Sequence, residues 1–286
     1  GVVFSHISGL VDNMLASTLP TGQLSSLGYS KKIIDAILLI GPVALVTVVY
    51  SQLSHLSAEG KYDEFRTLFI RSLRLILFLS IPACVVLIML KQPLVAALFE
   101  RGRFTHQSTL GTSQVLFIYA TGFVTFAIES LVVFGFYALS NTKVPVRVGI
   151  FAVLLDIIIA ISLIGYFGVS AIAWAYVVSK TIKVLILLLA MDRKFRFSHD
   201  YAFINFILKV TASSLVAAIC LYIIKGLNQD GSFSQEFIFN LSIPAAGFAT
   251  IFLLCCSLFK IKEMNLLLAI LLHRKILKSE LSGGIS

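Results

Sequence analysis

The sequence is poor in charge. Only 13% of its 286 residues are Asp, Glu, Lys or Arg, while 58% are hydrophobic. A water-soluble domain of this size needs far more polar cover, because much of a folded surface faces solvent. An ordinary soluble enzyme, a disulfide-rich secreted domain and a disordered chain are all excluded. Cysteine is scarce too: Cys84, Cys220, Cys255 and Cys256 lie in apolar runs without CxxC spacing and without a histidine at metal-ligand spacing, so they read as small packing residues. Acids are outnumbered, 14 against 23 Lys and Arg, for a net charge of +9. No basic run with interleaved aromatics accompanies that excess, so no nucleic-acid partner is expected. There is no GxSxG, P-loop, HExxH or dinucleotide fingerprint, and the five histidines are scattered. Covalent catalysis is not expected, and neither is a cofactor.

What is present is long apolar segments. Eight reach membrane length, at about 2–19, 27–54, 73–91, 113–139, 147–167, 168–190, 208–225 and 237–259. The expected fold is all-α, a polytopic membrane helix bundle with eight transmembrane helices. Pro82 and Pro244 fall inside two segments and are expected to kink or locally unwind them. Seventeen of the 23 Lys and Arg fall on one side if the segments alternate, which puts that side and the C-terminus in the cytoplasm. The tail, 260–286, reads as a basic amphipathic helix lying on an anionic leaflet: Met264, Leu267, Leu268, Leu271 and Leu272 share a face, and His273, Arg274, Lys275 and Lys278 follow. The chain opens on Gly1 and runs straight into an apolar segment, and is expected to be a piece of a longer protein.

The informative residues are charges inside apolar runs, where an ionisable group costs about 2.5–3.5 kcal/mol on insertion scales. Asp12 lies in the first segment, Glu129 midway along the fourth and Asp156 in the fifth. Lys31, Lys32 and Asp35 cluster in the second. Either lysine is spaced to meet Asp35 on a helix face. The cluster is therefore a self-neutralising pair or a cationic site suited to an anionic headgroup such as a diphosphate. Lys180 and Lys183 are expected to snorkel to the cytoplasmic interface. Asp12 and Asp156 would hold Na⁺ or a proton if their helices pack together, and otherwise are protonated or hydrogen-bonded to a neighbouring helix.

Five motifs follow one another in the first half of the chain. Val11-Asp12-Asn13-Met14-Leu15-Ala16-Ser17 resembles the "VDxxLAS" of the MurJ/MviN lipid II flippases, and Gly28 to Ile33 is similar to their "YADRL". Gln52-Leu53-Ser54 with Ala58 to Phe65 resembles "LSxxxAxGdxxEF", Leu98 to Thr105 resembles "LFxRGxFT", and Phe136 to Pro145 resembles "FYAxxDTxTP". The resemblance implies a transporter of the MOP superfamily with fourteen helices in two lobes. Residues 1–192 would be the six-helix C-terminal lobe and 193–259 two additional helices, with 260–286 as cytoplasmic tail. A further N-terminal six-helix lobe would be a partner, from the same gene or a second chain. The implied activity is flipping of a polyprenyl-diphosphate-linked peptidoglycan precursor across the bacterial inner membrane by alternating access. The partners implied are the lipid-linked glycan and membrane lipids. Lys32 falls on the family's cavity-facing arginine, keeping the charge and losing the bidentate fork. Lys31 replaces an acid, and Asp35 falls on a frequent acid one turn on. Asp12 matches the acid of the family's first C-lobe helix and Asp156 falls near the polar position of its fifth, two helices that contribute to a sodium site in some members. The departures at "YADRL" leave open a flippase for another polyprenyl-linked oligosaccharide. A non-transporting membrane scaffold is the third reading.

Overall fold

The computed structural model describes residue 14 and residues 22–195, 201–227 and 237–258. Within them the regular elements are helices: α1 Gln23–Leu38, α2 Ala44–Ala58, α3 Tyr62–Met89, α4 Lys91–Phe99, α5 His106–Thr121, α6 Phe123–Ala138, α7 Lys143–Phe167, α8 Val169–Phe195, α9 Tyr201–Leu227 and α10 Phe237–Leu258. Among the described residues five spans are long and apolar enough to cross a membrane, and a sixth if α5 and α6, bent by 48° at Gly122, count as one. The segment at 237–259 is represented by a shorter apolar stretch, Ile243–Ser257. Most of the segment at 2–19, with Asp12, and the tail 260–286 lie outside the described residues. The count of eight is thus not reached among the described residues, while the all-helical architecture is.

Local chemistry sets the breaks. α1 and α2 form one span, Gln23–Ala58, of 36 residues. At 1.5 Å per residue that is about 54 Å against a hydrocarbon core of about 30 Å, so its ends project beyond the core or it lies tilted. The two helices join through a wide π turn, Leu39–Val43, that contains Pro42. Proline has no N–H and its ring crowds the carbonyl four residues back, and one wider turn absorbs both faults. The winding, by contrast, continues through Pro82 in α3 and Pro244 in α10. A kink or local unwinding was expected at those two prolines; of the two, unwinding is absent there and occurs at Pro42. The tight hairpin between α7 and α8 turns on Gly168 at φ 54°, a backbone that side chains with a Cβ rarely adopt.

Interhelical ties at the same level as α5 are hydroxyl- and thiol-to-carbonyl bonds. Ser30 Oγ donates to the Thr112 carbonyl at 2.9 Å, and Cys84 Sγ to that of Ala120 at 3.1 Å. At the far end of the bundle Arg66 Nε donates to the Phe195 carbonyl at 2.7 Å, so α3 begins where α8 ends.

The apolar interior is divided in two. One core holds Phe65, Phe69, Leu73 and Ile76 of α3, Leu131 of α6, and Val184, Leu187 and Met191 of α8, with Phe248 and Phe252 of α10. The other holds Ile33 and Ile34 of α1, Leu116 and Tyr119 of α5, Phe123 and Phe126 of α6, and Ile172 and Val177 of α8. Along α6 the division falls between Phe126 and Ala127; along α8 it falls between Val177 and Val184. Glu129 of α6 and Lys180 and Lys183 of α8 sit at that seam.

Candidate functional site

α6 carries one acid, Glu129, just past the seam, and α8 carries Lys180 and Lys183, three residues apart and so on one face. The two helices pack together, and both ammonium groups converge on the one carboxylate. Lys180 Nζ lies 2.6 Å from Glu129 Oε2, and Lys183 Nζ lies 2.6 Å from Oε1. Each carboxylate oxygen has its own cation, a charge-assisted arrangement in a mostly buried setting. Glu129 is 14% exposed, Lys183 19% and Lys180 27%. Thr125 and Thr181, one turn away, share a hydroxyl contact of 3.3 Å across the same helix pair.

A cleft of about 90 Å³ opens beside this triad, walled by Lys31, Asp35, Tyr119, Glu129, Tyr176 and Lys180. Tyr176 is its organising group. Lys31 Nζ lies 4.7 Å from the centre of its ring and Lys180 Nζ 5.3 Å. Tyr119 and Phe126 pack edge-on against it at 5.7 Å and 5.5 Å. Two ammonium groups thus lie against one aromatic ring, each weakly held by it.

The residues singled out in the sequence separate into three places. Lys31 and Asp35, one turn apart on α1, reach the cleft together. Lys32, the next residue, turns about 100° round the helix. It is exposed, with its Nζ 5.8 Å from the Tyr29 ring. Tyr29 packs in turn on Phe99 at 4.6 Å and Phe104 at 5.4 Å. Asp156 is 2% exposed on α7, in a stripe with Ala152 and Ala160 at spacing four. α7 packs overwhelmingly against α8, so this carboxyl belongs to the hairpin interface. Asp12, its expected companion, lies outside the described residues. Among the described residues no three His, Cys, Asp or Glu side chains converge as a metal site would require.

One expectation is overturned. Lys180 and Lys183 do not snorkel to an interface; both turn inward to Glu129. The signal was present in the sequence as a lone mid-segment acid and two lysines on one face of another segment. What the sequence did not contain was the packing of α6 on α8 that joins them across 51 and 54 residues.

A second, more open cavity of about 710 Å³ lies where α1 and α5 begin, with Gln23, Ser26, Tyr29, Arg103, Gln107 and Ser108 in its wall. The loop before α5 is built by the stretch Leu98 to Thr105. Gly102 turns at φ 62°, Thr105 caps α5 by accepting from the Ser108 N–H at 3.4 Å, and Thr109 Oγ1 donates to Glu100 at 2.6 Å. Glu100 and Thr105 thus have structural uses, and Arg103 lines the cavity.

A family model described as "Lipid II flippase MurJ" matches residues 1–242. A probable lipid II flippase MurJ of Vibrio cholerae is 32% identical over 187 residues, 65% of this chain and 36% of that protein. One of Thermotoga maritima is 29% identical over 265 residues, 91% of this chain and 51% of that protein. Among solved structures, a lipid II flippase MurJ in an inward closed conformation matches with a TM-score of 0.76 at 27% identity, over 90% of this chain and 51% of that one. An outward-facing multidrug resistance MATE transporter of the MOP superfamily matches with a TM-score of 0.57 at 15% identity, a likeness of fold alone. The chain spans about half, or less, of the length of these relatives.

Proposed function

This chain belongs to the lipid II flippase MurJ family, and from that premise we propose that it acts in flipping lipid II across the bacterial inner membrane, as the C-terminal part of the transporter. The observation that carries the reading is the family match over residues 1–242. The division into a six-helix lobe and two further helices, with a second lobe facing the first, accords with a chain that covers 51% of the related solved structure. Transport would proceed by alternating access, two lobes rocking about a cationic cavity while the lipid tail stays in the bilayer. No bond is broken, so the activity is transport and not catalysis.

Lys31, Lys32 and Asp35 are the substrate-binding residues of this proposal. Lys32 offers an exposed ammonium on α1, and Lys31 and Asp35 face the cleft beside Tyr176. A diphosphate is the headgroup element that ammonium groups at bilayer depth would attract. Asp156, buried at the α7–α8 interface, and Asp12 would take the coupling ion, Na⁺ or H⁺.

The test is growth of a strain depleted of its own lipid II flippase, carrying the gene that encodes this chain. Restored growth that Lys32→Ala abolishes and Lys32→Arg retains is the expected result. Failure of the unmodified gene to restore growth, at confirmed membrane expression, refutes the lipid II reading. Lys31 in place of the family's acid favours one second reading, a flippase for another polyprenyl-linked oligosaccharide. Rescue of a strain lacking that flippase, and not of the first strain, would establish it.

A further inference from the structure

The triad has one lysine more than its carboxylate requires. A single ammonium neutralises Glu129, yet two lie at 2.6 Å. The two are not equivalent. Lys180 lines the cleft, touches the Tyr176 ring and is the more exposed of the pair; Lys183 forms no part of the cleft wall. Stripping a buried carboxylate of its only cation is costly. With two cations present, one can leave and the carboxylate stays paired. Geometry marks Lys180 as the one that leaves. Across the cleft stands Lys31, whose ammonium contacts an aromatic face and has coordination to spare.

We propose that Lys180 and Lys31 form a binding site for one phosphoryl-sized anion, with Glu129 and Lys183 as the positioning residues that hold Lys180 ready. Three ammonium groups stand against two carboxylates, Glu129 and Asp35, around this seam, leaving one surplus positive charge. A cleft of about 90 Å³ accommodates a few waters or one tetrahedral oxyanion and excludes a sugar ring. Asp35 on the wall tempers the positive charge of the two ammonium groups. When the anion enters, Lys180 swings from Glu129 to the ligand while Lys183 keeps Glu129 neutralised. The site itself stands on this geometry; only the view that the anion is part of a lipid-linked diphosphate rests on the flippase reading.

The experiment measures binding to the purified protein in detergent by ligand-dependent shift of the melting temperature, with sodium pyrophosphate or farnesyl diphosphate against sodium chloride of equal ionic strength. Both diphosphates should stabilise the protein beyond chloride. A response to pyrophosphate alone would identify a free anion as the ligand. Lys180→Gln should weaken either ligand about ten- to a hundredfold, the loss of one charge-assisted hydrogen bond. Lys183→Gln should also weaken binding, because Lys180 is then Glu129's only cation, and Lys183→Arg should restore it. Lys31→Gln removes a ligand without touching the triad, so it tests the site even where Lys180→Gln does not fold. No stabilisation beyond chloride, or unchanged affinity in both Lys180→Gln and Lys31→Gln, overturns the site. Unchanged affinity in Lys183→Gln overturns the positioning role. Binding by a protein whose gene fails to rescue growth sinks the flippase reading and leaves the site standing.

Discussion

At the scale of single residues, the bundle's chemistry depends on where a charge finds its partner. Glu129 is the shared partner of two ammonium groups, so its loss is worse than the loss of either lysine. Glu129→Gln should lower stability by about 3 kcal/mol, since it strands two cations in a mostly buried place. Lys180→Gln and Lys183→Gln should each cost less, because one ion pair survives. Chemical unfolding in detergent micelles ranks the three variants; a Glu129→Gln protein as stable as the parent would show the triad to be energetically idle. The sequence disclosed that Glu129, Lys180 and Lys183 were anomalous but not that they were one object. Insertion cost is a property of each residue alone, whereas pairing requires the register of two helices 51 residues apart. The same reason separates Lys31 from Lys32. Adjacent in sequence, they were read as one cluster, and the helical turn between them sends one to the cleft and the other to the surface.

At the scale of elements, glycines decide how closely the helices approach. A Cβ on Gly135 would lie 2.9 Å from the Phe69 ring and 3.0 Å from Met191 Cε, so side chains of α3 and α8 fill the space beside α6 there. Gly135→Ala should destabilise by about 1–3 kcal/mol through overpacking. Gly149, also helical, has open space where its Cβ would stand. Gly149→Ala should stabilise by about 0.5–1 kcal/mol, the ordinary gain in helix propensity. Opposite signs in melting temperature check the pair, and equal signs would contradict the packing described. Apolar runs made the helices and most of their ends legible. The bend at Gly122 and the wide turn at Pro42 were not, because a run of apolar residues has the same composition whether it is straight or broken. Pro82 carries the same lesson: the residue type marks a fault, and packing around it decides whether the helix opens.

At the scale of the whole molecule, the ends of the bundle sort by charge. Lys61, Lys143 and Arg193 flank the α2–α3 loop, the α6–α7 loop and the end of α8, and the Arg66–Phe195 bond ties two of those sites together. Arg101 and Arg103 lie in the loop before α5, at the end where Tyr29 meets Phe104. The excess of cations at the first end predicts a cytoplasmic location for it. In a cysteine-free background, single cysteines at 61 and 143 should react with a membrane-impermeant maleimide only after permeabilisation, and one at 101 before it. The reverse pattern would invert the topology. The fold class was legible because membrane insertion leaves so few solutions, helices above all. The candidate site was only half legible, since its α1 side could be read locally while its α6 and α8 side exists only once the helices have packed.

The two dry cores with a charged storey between them make this bundle, mechanically, two blocks in series. Each block coheres by dispersion and burial, which act over a short distance; the storey coheres by a few ion pairs whose geometry is narrow. Drawn out of a bilayer by its C-terminus under a force probe, the chain should therefore yield in discrete steps rather than helix by helix. A pause is expected as extraction reaches Lys183 to Lys180, where α8 is riveted to α6. Glu129→Gln should erase that pause, although it alters no residue of α8.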